Sequence, residues 1–181
     1  LVAFQPQIQA SSILTECQLE EGKFVLMTMH RPATVDHLEG LQLIIDVLGL
    51  CAPRKVLFPM HPRTLARFEE FGLKSALMDV SHLVLTEPLG YFAFQRLVES
   101  AEFILTDSGG IQEESTFKQV PCITVRPNTE RPITCEIGTN VLVESKLDSI
   151  SKAIQEMDCS NAKIPDLWDG HSTERVLEVF A

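Results

Sequence analysis

Long hydrophobic runs are missing from this 181-residue chain. A membrane-spanning helix needs about 18 or more consecutive apolar residues. The longest candidates here, FVLMTM and LQLIIDVLGLC, are strand-length or broken by polar residues, so no membrane partner is expected. The opening LVAFQPQIQASS has neither an initiator Met nor a basic n-region, and no signal peptide is expected in it. Paired-cysteine spacing is missing too. The five cysteines, at 17, 51, 122, 135 and 159, are odd in number and form no CxxC or CxxH motif. They are expected to be reduced and mostly buried thiols of a cytoplasmic protein, with no metal site. Positive charge is scarce: 15 basic residues face 25 acidic ones, for a net charge of −10. No basic stripe is visible, which argues against a nucleic-acid partner. A small anion remains compatible, because local arginines and helix ends can reverse the field inside a cleft. There is also no Walker A loop, no GxGxxG fingerprint, no internal repeat and no low-complexity tract.

What the chain does have is alternation. With 45% hydrophobic residues and a mean hydropathy of +0.10, it can bury a substantial core as a single domain spanning 1–181. Strand-like apolar runs occur at 24–29, 55–60, 83–87, 103–106, 122–125 and 140–143. Helical patterns separate them, the clearest at 36–50, where Leu38, Leu41, Ile44, Ile45 and Leu48 recur at spacings of three and four. Further helices are expected over 64–73, over 91–101 and from Gly109 or Gly110 onward. Two C-terminal helices are expected at about 147–157 and 171–180, joined by NAKIPDLWDGHS with a turn at Asp169-Gly170. The first 20 or so residues form a leading segment with little signal. Strands that are apolar throughout, each followed by a helix, predict a parallel sheet covered on both faces, that is, a Rossmann-like doubly wound α/β fold.

Ligands of such sheets gather beyond the carboxyl ends of the strands. Those ends carry TMHRPATVD, MHPRT, TEPLGYFAF, TDSGGIQEE and RPNTERP, which send His30, Arg31, His61, Arg63, Glu87, Ser108, Arg126 and Arg131 toward one edge. In Asp107-Ser108-Gly109-Gly110 the glycines let backbone N–H groups approach an anion, and the following helix offers its unpaired donors and its dipole. A diphosphate suits that turn, although Ser-Gly-Gly also makes an ordinary helix start. Glu113 reads as a first-turn acid. Glu114 lies where a carboxylate could accept hydrogen bonds from ribose hydroxyls. His30 and His61 each read either as a polar cap or as a phosphate ligand or proton donor. His37, His82 and His171 read as surface residues.

Taken together, TMHRP, FPMHPRT, EPLGYFAF, ILTDSGGIQEES, RPNTERP, GTNVLV and LWDGHSTERVLE resemble, in order and spacing, the non-hydrolysing UDP-N-acetylglucosamine 2-epimerases. The resemblance runs from about residue 20 to 180 and covers only the C-terminal half of that family's two-domain, GT-B-like pattern. It implies UDP binding, with Ser108, Gly109 and Gly110 at the diphosphate and Glu114 on the ribose hydroxyls. Phe94 matches the aromatic beside the uracil, and Arg131 the arginine lining the nucleotide-sugar site. His30 matches the histidine on the phosphate side that activity requires. Arg31 and His61 match contacts to a second, allosteric UDP-GlcNAc. No cofactor is implied. The family interconverts UDP-GlcNAc and UDP-ManNAc, by elimination of UDP to 2-acetamidoglucal and re-addition on the other face. Its proton-transferring carboxylates belong to an N-terminal domain outside this sequence, so the chain alone is expected to be inactive; full-length members are homodimers.

Two departures stand out. Ala33 occupies the place of an acid that often follows HRR or HRP in the family, and His171 replaces a Lys or small polar residue. A hydrolysing 2-epimerase, a GT-B glycosyltransferase and a non-catalytic nucleotide-sugar-binding domain are the alternatives that share much of this pattern.

Overall fold

The computed structural model describes residues 1–180; Ala181, the last residue of the expected domain, lies outside them. Six parallel strands form one sheet: β1 (Phe24–Thr28), β2 (Lys55–Pro59), β3 (Leu83–Thr86), β4 (Phe103–Thr106), β5 (Cys122–Val125) and β6 (Asn140–Val143). Their spatial order is β3-β2-β1-β4-β5-β6. The chain builds outward from β1 to β3 and then returns to lay β4 against the other side of β1. In sheets of this kind that reversal opens a crevice at the carboxyl ends of the two central strands.

The helices are α1 (Gln5–Gln9), α2 (Ile13–Glu16), α3 (Pro32–Val35), α4 (Leu38–Cys51), α5 (Pro62–Glu70), α6 (Lys74–Met78), α7 (Tyr91–Ser100), α8 (Gly109–Lys118), α9 (Pro132–Glu136), α10 (Leu147–Gln155) and α11 (Ser172–Phe180). No described helix is long and apolar enough to cross a membrane.

Strand side chains alternate between two cores. Val25, Met27, Val56, Phe58, Phe103 and Leu105 meet α4, α5, α6 and α10 on one face. Phe24, Leu26, Leu57 and Ile104 meet α2, α7 and α8 on the other. Every residue of β1 and β4 is buried, the signature of central strands covered on both sides. On α4 the buried stripe is Leu41, Ile44, Val47, Leu48 and Cys51. Leu38, expected to be part of it, is 45% exposed because the helix begins at this residue, ahead of the packed turns.

The leading segment has more structure than its composition suggests. Ile8 and Ile13 are buried, and Glu99 of α7 gathers Gln5 (2.9 Å), Gln9 (2.5 Å), Arg96 (2.9 Å) and Lys118 (2.6 Å) around one carboxylate. Those charge-assisted bonds bind the segment to α7 and α8, and they hold the Glu99 carboxyl below its usual range against the opposing effect of burial.

The expectation of mostly buried cysteines needs correction. Cys51 and Cys122 are buried, and burial pushes both thiols up to about 12. Cys17 and Cys159 are half-buried, however, and Cys135 is exposed on the short α9, which has only one packed side. His82 also departs from its surface assignment: it is half-buried, with Nε2 2.8 Å from the Leu48 carbonyl at the end of α4.

The two cores set a stability test. Phe103→Ala deletes a fully buried ring from the central strand pair and is expected to cost roughly 3–5 kcal/mol in urea unfolding. Val179→Ala, at a side chain 82% exposed on α11, is expected to fall within about 0.5 kcal/mol of the parent. Similar costs for both would contradict this layering.

Candidate functional site

Two Xaa-Pro steps shape the edge of the crevice. Proline disfavours helical backbone in the residue before it and favours the first turn of a helix after it. Arg31 (φ −70, ψ 140) and His61 (φ −65, ψ 139) are accordingly extended, and Pro32 and Pro62 open α3 and α5. His30, Arg31 and His61 thus remain at the strand ends instead of being wound into helices. The helix over PATV was not anticipated in the sequence, where the HRP segment reads only as a polar strand end.

Asp107, the residue after β4, holds this edge together. The β1–β4 pairing continues to Thr28 and Thr106, whose buried hydroxyls are 2.7 Å apart. Beyond that pair, the Asp107 carboxylate is fully buried and accepts from the backbone N–H of His30 (3.0 Å) and of Arg31 (2.9 Å). The His30 ring stands over it, with Nδ1 3.4 Å from Oδ1. One side chain just beyond β4 therefore positions the turn after β1. The sequence displayed Asp107 only as part of a turn motif. Its bracing role depends on strand order, which periodicity does not reveal.

Ser108 and the glycines behave as expected of a helix start. Ser108 is extended (φ −89, ψ 137), its N–H donates to Thr106 Oγ1 at 2.9 Å, and its hydroxyl caps none of the helix amides. Gly109 is buried and Gly110 exposed at the mouth of α8. A Cβ on Gly109 would lie 2.7 Å from Oε1 of Glu130, the tip of a half-exposed side chain that would have to move aside.

Further along α8, Glu113 pairs with Arg131 (Nε to Oε1, 2.9 Å), which joins the TERP segment to the helix. Glu114 is half-buried. Burial raises its carboxyl pKa, opposed by the Gln95 side chain and reinforced by Glu113.

Thr28, His30, His61, Phe94 and Ile111 share a cavity of about 260 Å³ over the strand ends. Glu114 lines a neighbouring hollow of about 610 Å³, together with Glu113, Phe117 and Trp168 of the late loop. A larger groove of about 810 Å³ runs beside α3, α4 and the β6–α10 connection, away from these residues. The anticipated polar residues divide accordingly. His30, Arg31, Ser108, Gly109, Gly110 and Arg126 gather around the β4–α8 turn. Arg63 is instead committed to Asp36 at 2.5 Å, an ion pair that joins α5 to the end of α3. The His61 ring caps α5 by accepting from Arg63 N at 3.2 Å.

The loop carrying Arg126 and Arg131 is anchored by a buried polar network that escaped the sequence reading. Gln112 Oε1 accepts from Thr129 Oγ1 (2.6 Å) and Asn140 Nδ2 (3.2 Å), and Arg131 N donates to Thr129 Oγ1 (3.0 Å). Thr124 Oγ1 completes the chain by donating to Asn140 Oδ1 at 2.6 Å. Buried networks with every member satisfied fix loop geometry.

These features define a Rossmann-like α/β domain with its polar crevice at the β1–β4 switch point. More specifically, residues 2–181 match the family model described as UDP-N-acetylglucosamine 2-epimerase. The chain belongs to that family. It is 40% identical over 165 residues to a UDP-N-acetylglucosamine 2-epimerase of Methanocaldococcus jannaschii, covering 88% of this chain and 45% of the relative. The corresponding protein of Methanococcus maripaludis is 38% identical over 161 residues, with 87% and 44% covered. Among solved structures, the M. jannaschii UDP-GlcNAc 2-epimerase in complex with UDP-GlcNAc and UDP superposes with a TM-score of 0.85 at 34% identity. That match covers 99% of this chain and 51% of the other. The chain thus spans about half the length of these relatives, as the C-terminal half of a GT-B-like enzyme would.

Asp107→Ala removes the acceptor of two backbone amides and is expected to destabilise the chain by about 1.5–3 kcal/mol in urea unfolding. Asp107→Asn, which keeps one carbonyl oxygen, should cost less. Unchanged stability for both variants would remove Asp107 as the brace.

Proposed function

We propose that this chain is the UDP-binding half of a UDP-N-acetylglucosamine 2-epimerase and that the β1–β4 crevice holds the nucleotide. The observation that carries this is the meeting of His30 with the Ser108-Gly109-Gly110 turn across Asp107, in a member of this family. The diphosphate lies against the N-terminus of α8, where unpaired amides, the helix dipole and the Ser108 hydroxyl favour negative charge. Phe94 flanks the uracil, and Glu114 accepts from the ribose hydroxyls. Arg131 lines the sugar end. Arg31 and His61 face a second nucleotide-sugar position.

In the reaction, a proton leaves C2 of the sugar and the C1–O bond to UDP breaks, giving 2-acetamidoglucal. A proton then returns to the opposite face of C2, and the phosphate oxygen of UDP re-forms the bond to C1. This half of the enzyme has to stabilise UDP as the leaving group and retain it as the nucleophile. A preorganised set of amides and cations does this without reorganising as charge develops. His30, oriented by Asp107, stands on the phosphate side. The acids and bases at the sugar carbons come from the other half, the partner domain that this chain requires, and the full-length enzyme is a homodimer in the cytoplasm.

Three measurements follow. Incubated alone with UDP-GlcNAc, the chain is expected to yield neither UDP-ManNAc nor free UDP; turnover would overturn the division of labour. In calorimetry, Glu114→Gln should weaken UDP binding by about 1.5–3 kcal/mol. The same change should not weaken the ligand-free protein. Burial raises the Glu114 carboxyl, so its charged form is penalised on folding and stability falls as pH rises through the folded-state pKa. Glu114→Gln should therefore equal or exceed the parent in thermal stability at pH 7, with any gain shrinking toward acid pH. Unaltered UDP affinity would place the ribose elsewhere.

A further inference from the structure

A carboxylate occupies the corner where the anion is expected. Glu130, in the β5–α9 loop, reaches back over the start of α8, so that a Cβ on Gly109 would come within 2.7 Å of its Oε1. Its Oε2 lies 2.9 Å from Nη1 of Arg126, and its Oε1 lies 3.8 Å from Nη2 of Arg31. The Arg126 side chain is only 12% exposed. Its Nη1 is buried and lacks an aligned hydrogen bond, so the contact with Glu130 is one of charge without good donor geometry. Glu130 itself is 45% exposed, which leaves its side chain free to swing into solvent. A mobile acid is thus set among a helix N-terminus and two guanidinium groups, a combination that attracts any anion.

We infer that Glu130 is a displaceable internal counter-anion, which holds the arginines in place until the diphosphate of the ligand takes over its position. This rests on the nucleotide site proposed above. Exchanging one carboxylate charge for a diphosphate gains attraction, whereas a ligand without phosphate gains nothing by displacing it. Glu130 accordingly tunes selection by ligand charge: it disfavours weakly charged occupants and leaves Arg126 and Arg31 preorganised for a polyanion. Backbone donation together with Arg126 and Arg31 holds the Glu130 carboxyl below its usual range, so it is ionised in the resting state.

The test compares UDP, UMP and uridine by calorimetry on the parent chain, Glu130→Gln, Glu130→Ala and Glu114→Gln. Removing the competing negative charge in a wet crevice corresponds to roughly threefold to tenfold tighter UDP binding. Both Glu130 variants should show this gain, with a smaller one for UMP and none for uridine. Equal or weaker UDP binding by the Glu130 variants would overturn the inference, and so would a gain shared equally by uridine. If UDP binds the parent and Glu114→Gln weakens it, the site stands whatever Glu130 does. If no variant or parent binds UDP, or Glu114→Gln has no effect, the site itself falls and the inference with it.

Discussion

The buried carboxylate of Asp107 is the constraint on which the site depends. It sits at the junction of the two central strands, where the sheet reverses its order, and it receives the backbone amides of His30 and Arg31 just beyond β1. A carboxylate taken fully out of water is costly unless donors surround it. Here the donors belong to the turn that displays His30 and Arg31, so satisfying the charge and shaping the crevice are one event. The helix that follows Asp107 begins at the same corner, which brings the histidine and the amide-rich turn together within a few residues of each strand end.

Around that corner the chain divides its work between rigid and adjustable parts. The two-sided core holds β1 and β4, and the Gln112–Thr129–Asn140 network holds the loop beyond β5. What remains adjustable is the half-exposed shell of charged side chains: Glu130 over Gly109, Arg31 beside it, and Arg131 on Glu113. Such a division suits the proposed nucleotide site, since preorganised backbone lowers the ordering cost of binding.

Much of this was legible in the residues. All six strands fall within a residue of the expected bounds, because short, mostly apolar segments between helical patterns leave little choice. The helix expected over 36–50 was equally plain from its three-and-four spacing and is found at Leu38–Cys51. Three things were not legible. The short helices α3, α6 and α9 were not anticipated, and α3 and α9 depend on Pro32 and Pro132 starting a turn. The packing of the leading segment depends on Glu99, some 90 residues away. The roles of Asp107, Gln112, Thr129 and Glu130 depend on which strand ends become neighbours. Composition and period describe what each segment can be, while strand order decides which polar residues meet. Of the candidate residues, His30, Arg31, Ser108, Gly109, Gly110 and Arg126 lie around the β4–α8 turn, whereas Arg63 turned to Asp36, His61 caps α5, Arg131 pairs with Glu113 and Glu114 faces a separate hollow.

The central claim is that a uridine diphosphate rests on the β4–α8 turn beside His30. Amide ¹H–¹⁵N spectra of the 181-residue chain, titrated with UDP, test it most directly. The account predicts that the largest saturable shifts fall on Ser108, Gly109, Gly110 and His30, with smaller ones at Glu114 and Phe94. Shifts concentrated along the α3–α4 groove, with the Ser108–Gly110 amides unmoved, would contradict it.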